Sequence, residues 1–300
     1  MFNGRERPMP GGLVERTLRE ELVQTFHDPA YKPPSLPSVA IMLSRITRSD
    51  ETSVGDVVRV LEQDQMLAGS VLRLVSSPLY ASRSPVTSLH QAVVRLGLKR
   101  LRSVVFEAAL RGGIFNLPEY QETVEQVRRH STTTAYIAKL VCEASGVDED
   151  DGFICGLLHD VGFSALMLSV SHVEKGDSPR LDALWGDIER MHERASSLVA
   201  RLWELPSEIC ETVGHHHDPA RCSDDRAAKV AAAVCIGDWL TERFGANVVG
   251  PRDPNGKVVA ADQVSEAGLA HARRILGVDD AKLETLVERA EEIVPEILWV

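Results

Sequence analysis

Apolar residues along this chain recur at three- and four-residue intervals rather than in alternation, so the pattern predicts helices almost throughout. Residues 13–26 read as one amphipathic helix, with Leu18 and Leu22 on a face, and the four prolines within 28–37 make a linker or strap. Pro37 opens a helix carrying Val39, Met42, Leu43 and Ile46. Ser53, with Asp56 three residues on, is a cap for a helix bearing Val57, Val58 and Leu61. Residues 66–75 supply Leu67, Val71, Leu74 and Val75. Ser88 caps a helix with Ala92, Val93 and Leu96, which Gly97 stops, and 98–114 completes a fifth helix. The second half continues with Val124, Val127, Thr134, Ile137 and Val141, then Ile154, Leu157, Leu158 and Val161. Further helices are predicted over 181–191, 196–203, 206–216 and 226–244, and two closing helices over 270–298. Strand patterns are scarce. Residues 247–264, with Asn255-Gly256 between two Val-rich pieces, are the one candidate hairpin. The expected fold class is all-α.

Composition narrows the class. Aromatics are only 5% while hydrophobic residues reach 44%, which suits packed helices better than a β-sandwich and excludes wholesale disorder. The balance of 33 basic against 44 acidic residues leaves a net charge of −11. That excess argues against general nucleic-acid binding, and the basic run Arg95, Lys99, Arg100, Arg102 reads as a solvated helix face. The cysteines Cys142, Cys155, Cys210, Cys222 and Cys235 are scattered without a CxxC pair, which fits reduced thiols and a cytoplasmic location. No run reads as a membrane span, and the basic start lacks the apolar stretch of a secretory signal. Met42, Met66 and Met167 are expected as core fillers.

Polar residues that fall on apolar stripes carry the chemistry. His130 lies three residues after Val127 and four before Thr134. His159-Asp160 ends the apolar turn ICGLLHDVG, His216 and His217 fall near the buried side of their helix, and Asp238 follows Val234 by four. A buried carboxylate at Asp238 costs several kcal/mol unless a metal, an imidazolium or an arginine neutralises it. Singly, each histidine reads as a hydrogen-bonded core residue. Together, on separate helices, they suit a divalent transition metal, since imidazole favours iron, zinc, nickel or manganese-type ions.

The order His130, His159-Asp160, Asp238 is similar to the H…HD…D order of the HD superfamily of metal-dependent phosphohydrolases. The stretch from 36 to 239 resembles one branch, the HDOD domains. It carries LPSVAIML, LEQDQMLAGSVLRLVSSPLY, VTSLHQAVVRLGLKRLRSVV, HSTTTAYIAKL, GLLHDVG and LWELPSEI…HHHDP in the family's order. The resemblance implies an N-terminal helical bundle packed on an HD-like helical domain. It divides the chain into 1–35 (N-terminal helix and Pro-rich linker), 36–118 (N-terminal helical subdomain), 119–244 (HD-like subdomain) and 245–300 (hairpin or loop with C-terminal helices). It implies a metal held by His130, His159, Asp160 and Asp238, with His192, His216 and His217 for a second.

The sequence departs from active relatives at Phe163, where phosphohydrolases often carry a lysine after HD-x-G. It also departs at Gln126 in place of a glutamate, at Ser196 in place of a glycine, and in the absence of a Gly-Tyr-Pro after HHHDP. The resemblance therefore implies a bacterial signal-transduction output module without catalysis. Such a module acts through protein partners, with a nucleotide ligand and self-association as further expectations, and with neither nucleic acid nor membrane as partner. The alternative is a metal-dependent phosphohydrolase or phosphodiesterase on a nucleotide or cyclic dinucleotide. In that case His159 and Asp160 carry catalysis, and Arg128, Arg129 or Arg201 stand in for the lysine.

Overall fold

The computed structural model describes residues 34–46, 52–77, 86–112, 117–173, 181–248 and 264–298, with isolated positions between them. Among the described residues there are helices and no strand. Most of the helix expected over 13–26, of which only Glu20 and Gln24 are described and both are helical, and most of the hairpin expected within 247–264 lie outside the described residues.

Four helices open the fold: α1 (Ser38–Ile46), α2 (Val54–Leu61), α3 (Gln65–Val75) and α4 (Leu89–Gly112). Local chemistry sets their ends. Ser53 and Asp56 form a reciprocal capping box, Ser53 Oγ accepting from the Asp56 N–H at 3.2 Å and Asp56 Oδ2 from the Ser53 N–H at 3.1 Å. Asp64 caps α3 by accepting from the Leu67 N–H at 3.0 Å. Gly97 breaks α4 into two pieces, at φ 71°, a conformation that glycine adopts without a Cβ clash. Leu43, Val57, Leu61, Val71 and Leu101 are buried between these helices. Met42 and Met66, expected in the core, are exposed at 43% and 79%. Met42 shares α1 with the buried Val39, Ala40 and Leu43 but lies off their stripe, and Met66 is the second residue of α3.

The second half comprises α5 (Gln121–Ser145), α6 (Glu149–Leu158), α7 (Val161–Val173), α8 (Leu181–Leu202), α9 (Ser207–Gly214) and α10 (Asp225–Arg243). The chain closes with α11 (Glu266–Leu276) and α12 (Asp280–Leu298). Helix α5 is the axis, packed against α6, α10 and α12. Two close approaches draw its neighbours in: a Cβ on Gly156 would meet the Ala135 Cα at 2.8 Å, and one on Gly237 the Ala138 N at 2.9 Å. The segments 181–191 and 196–203, expected as separate helices, are one continuous helix, α8, because nothing between them breaks the backbone ladder.

Residues Glu149–Val170 have a mean hydropathy of 1.7 over a window as long as a membrane span, although no such run was expected. Of the residues in that window 94% are buried within the molecule, so this run is the core helix α6 and most of α7. The basic run is also not wholly solvated. Arg102 is buried, and its guanidinium lies 3.1 Å from Asp151 at the start of α6, while Ser103 Oγ donates to Asp150 at 3.2 Å. Lys99 reaches Asp148 at 3.3 Å. These contacts join α4 to the end of α6 opposite His159. Trp203 Nε1–H donates to the Pro34 carbonyl at 2.9 Å, fixing the junction after α8 to the start of the described chain.

Candidate metal centre

Seven of the residues singled out in the sequence meet in one interior cluster. His130 comes from α5, His159 and Asp160 from the break between α6 and α7, His192 from α8, His216 and His217 from the turn after α9, and Asp238 from α10. All are buried except His217, which is half-buried. His130 Nε2 lies 3.1 Å from Asp238 Oδ1, 3.4 Å from Asp160 Oδ2 and 3.1 Å from His159 Nε2. On the other side, Asp160 Oδ1 lies 3.5 Å from His192 Nε2 and 3.6 Å from His216 Nε2, which are 3.3 Å from each other. His217 Nε2 stands 3.3 Å from Asp238 Oδ2. Asp160 thus divides its two oxygens between two groups of imidazoles.

The tautomers follow from the outer contacts. His130 Nδ1 meets the Ala246 carbonyl at 3.0 Å, His159 Nδ1 the Gly156 carbonyl at 2.7 Å, His216 Nδ1 the Val213 carbonyl at 2.9 Å, and His192 Nδ1 the Glu189 carbonyl. A carbonyl only accepts, so each Nδ1 carries a hydrogen and each Nε2 faces inward. Lone pairs of His130 and His159 at 3.1 Å repel unless a proton or a cation lies between them. Asp160 Oδ1 is buried and accepts no hydrogen bond. An inward-facing set of imidazole Nε2 atoms and an orphaned carboxylate oxygen, with the outer nitrogens tied to the backbone, is compatible with a metal site. The triples His130–His159–Asp160, His192–His216–His217 and His159–His216–Asp238 each have their ligand atoms within 4.8 Å of one another. The residues present therefore fit a divalent metal.

Without an ion the charges balance inside the cluster, a proton on His130 standing where a cation would. Burial works to raise the Asp160 carboxyl, but the charges and hydrogen bond of His159, with His192 and His130, hold it far below the usual carboxylate range. Asp238 is likewise held low against burial by His130 and His217. Burial opposes protonation of His130, yet its hydrogen bond to Asp238 and the two carboxylate charges raise it to about 9. Burial and the neighbouring imidazoles hold His216 well below its ordinary value, in the neutral form that ligates metals.

The small cavity above these atoms is lined by His130, Asp160, Phe163, His192, His217, Asp238, Glu242, Asn247 and Val248. Phe163 stacks on His192, with ring centroids 4.6 Å apart, and on Trp185 at 5.4 Å. The arginines considered as stand-ins for a lysine do not line it. Arg128 is bound to Glu125 at 2.6 and 2.7 Å, and Arg201 is exposed. Gly162 lies in the first turn of α7, pressed against α8, its N–H donating to Ser196 Oγ at 2.9 Å. Sequence reasoning missed Glu242, whose signal was its place one turn beyond Asp238, and missed the segment after α10. There Ala246 orients His130, and Asn247 and Val248 join the cavity wall. Burial, outweighing other contacts, and the charge of Asp238 raise Glu242 to about 7.

Comparisons with known proteins bear on the fold and the family. An uncharacterized protein of Treponema pallidum (strain Nichols) is 24% identical over 222 residues, covering 70% of this chain and 42% of that protein. Ribonuclease Y of Thermus thermophilus is 25% identical over 161 residues, covering 49% of this chain. The chain spans 25% of that enzyme's length, less than half of either curated relative. Among solved structures, an HDOD domain protein with unknown function from Geobacter sulfurreducens superposes with a TM-score of 0.66 at 25% identity, covering 96% of this chain and 97% of that one. A proposed metal-dependent phosphohydrolase from Shewanella amazonensis SB2B shares the fold, with a TM-score of 0.67 at 20% identity, covering 94% and 99%. The family model of the HDOD domain matches residues 34–219, well over half of the chain and all of the cluster except Asp238. On this match the chain belongs to the HDOD domain family.

Proposed function

We propose that this chain is a bacterial, cytoplasmic signal-transduction output module that holds a divalent transition metal and acts through protein partners rather than by hydrolysis. His130, His159, Asp160 and Asp238 would hold one ion, of iron, manganese, zinc or nickel. His192, His216, His217 and the second Asp160 oxygen would hold another beside it. The observation that carries the metal reading is the set of histidines whose Nδ1–H groups are tied to main-chain carbonyls while their Nε2 atoms converge on Asp160. When bound, such an ion supplies Lewis acidity and lowers the pKa of coordinated water. The chain's own work is to fix four rings as Nε2 donors, to keep Asp160 and Asp238 ionised, and to wall the site with Phe163 and Val248. An ion tying α5, α7, α8 and α10 together also stabilises the native form by mass action.

The non-hydrolytic part rests on Phe163 and on a cavity wall with no lysine or arginine among its described residues. Among the described wall residues no lysine or arginine stands ready for a phosphate, and Phe163, stacked on His192, holds the motif position that carries a lysine in active relatives. Hydrolysis of a nucleotide or cyclic dinucleotide is the second reading. Its support is the complete ligand set and the likeness to Ribonuclease Y over half of this chain. The test is elemental analysis of chelator-free protein alongside assays with an aryl phosphate and cyclic dinucleotides in added Mn²⁺ or Fe²⁺. Bound metal without turnover is the expected result. Turnover abolished by Asp160→Ala would reverse the assignment.

A further inference from the structure

The cavity has one wall residue that the ligand set leaves unexplained. Glu242 follows Asp238 by one helical turn on α10, so the two carboxylates share a face. It lines the cavity with His130, His217 and Asp238. The Val264 N–H donates to its Oε1 at 3.3 Å, which holds the side chain in place from the start of the closing helices. Half-buried, it stands where the cavity meets solvent. Asp160 and Asp238 each lie within 3.4 Å of an imidazole Nε2, whereas Glu242 adds a third carboxylate to a wall with no lysine or arginine among its described residues. Of the other described wall residues, Phe163 and Val248 are apolar, and Asn247 is a neutral amide whose buried Oδ1 accepts no hydrogen bond.

We infer that Glu242 is a specificity-determining residue that turns phosphate esters and other anions away, so that the site takes a cation with water or a neutral ligand. The inference rests on the ion-site reading above. A phosphate approaching a bound ion brings nearly two negative charges into the cavity that Glu242 lines. At the effective dielectric of a protein surface, one unit charge at a few ångströms changes affinity by about tenfold or more. Glu242→Gln keeps the acceptor for Val264 and removes only the charge, so the fold is retained. Glu242→Lys reverses the charge.

The experiment loads wild type, E242Q and E242K with Mn²⁺, measures manganese content, and titrates each with orthophosphate and pyrophosphate by calorimetry. It is run at pH 8.5 and fixed ionic strength, with the exposed Glu62→Gln as a control. The expected result is manganese in every variant, weak phosphate binding by wild type and E62Q, about tenfold tighter binding by E242Q, and tighter still by E242K. Equal phosphate affinity across manganese-loaded variants, or none in any, overturns the role of Glu242 and leaves the ion site standing. A wild type that takes up no manganese overturns the ion site and this inference together.

Discussion

Gly162→Ala probes how the cluster is assembled without touching a ligand. Gly162 is the second residue of α7, and an added Cβ would lie 2.2 Å from the His192 carbonyl oxygen and 2.7 Å from the Ser196 nitrogen. Both obstructing atoms are main chain, so no side chain can swing away, and α7 and α8 must part by about 1 Å to restore ordinary contact. Overpacking of this kind costs roughly 1–3 kcal/mol, and a main-chain clash belongs at the upper end. For a chain of this size that lowers Tm by roughly 6–12 °C. The same movement parts His192 Nε2 from Asp160 Oδ1, now 3.5 Å apart, so zinc affinity falls with stability. Thermal melts and competitive zinc titration against a chromophoric chelator read the two effects. Gly186→Ala on the same helix as His192 is the control. Its Cβ would meet only Arg190 Nη1, at 3.7 Å, and an alanine there should stabilise by about 0.4–1 kcal/mol. A G162A protein that melts with wild type and binds zinc equally well would refute the packing argument.

Three further outcomes follow from the same structure. Arg102→Met leaves buried Asp151 with the exposed Arg226 alone and should cost about 3 kcal/mol in urea unfolding, the low end for a broken buried pair; a loss near zero contradicts the role given to the α4–α6 contact. Asp148 caps α6. Burial acts to raise its carboxyl, and the Asp151 N–H and Lys99 outweigh burial and lower it, so its contribution is present above its ordinary value near 3.8 and lost as pH falls through the lower folded value. Asp148→Asn keeps the cap and should flatten the acid limb of the stability profile, while Asp148→Ala also costs about 1 kcal/mol at neutral pH; identical acid limbs in wild type and D148N count against it. Zinc at a hundred times its Kd should add about 2.7 kcal/mol to stability, reversed by EDTA and absent in a His159→Ala, Asp160→Ala double variant.

Much of the architecture was legible because helical periodicity and capping are local. Ser53 with Asp56, and the apolar stripe of α5, carry their structure in a few neighbouring residues. The convergence of His130, His159, Asp160, His192, His216, His217 and Asp238 was legible as a set, because polar groups on apolar faces must find one another in a packed interior. What escaped depends on contacts distant in sequence. Arg102 looks solvated until Asp151, 49 residues away, is folded against it. Gly162 shows no sign of its close approach until α8 lies across it. Glu242 and Ala246 had no motif to mark them, and their role appears only when the chain after α10 turns back over His130. Met42 and Met66 were misplaced because methionine's apolarity does not fix which side of a short helix meets the core.

The central claim is spatial, and anomalous diffraction tests it most directly. Crystals of chelator-free protein soaked in Zn²⁺ or Mn²⁺, with data collected on either side of the metal's absorption edge, should show a peak among His130 Nε2, His159 Nε2, Asp160 and Asp238. At higher metal concentration a second peak should appear beside His192, His216 and His217. A well-ordered map with no anomalous peak within the cluster, in protein whose solution titration also shows no uptake, would contradict the account.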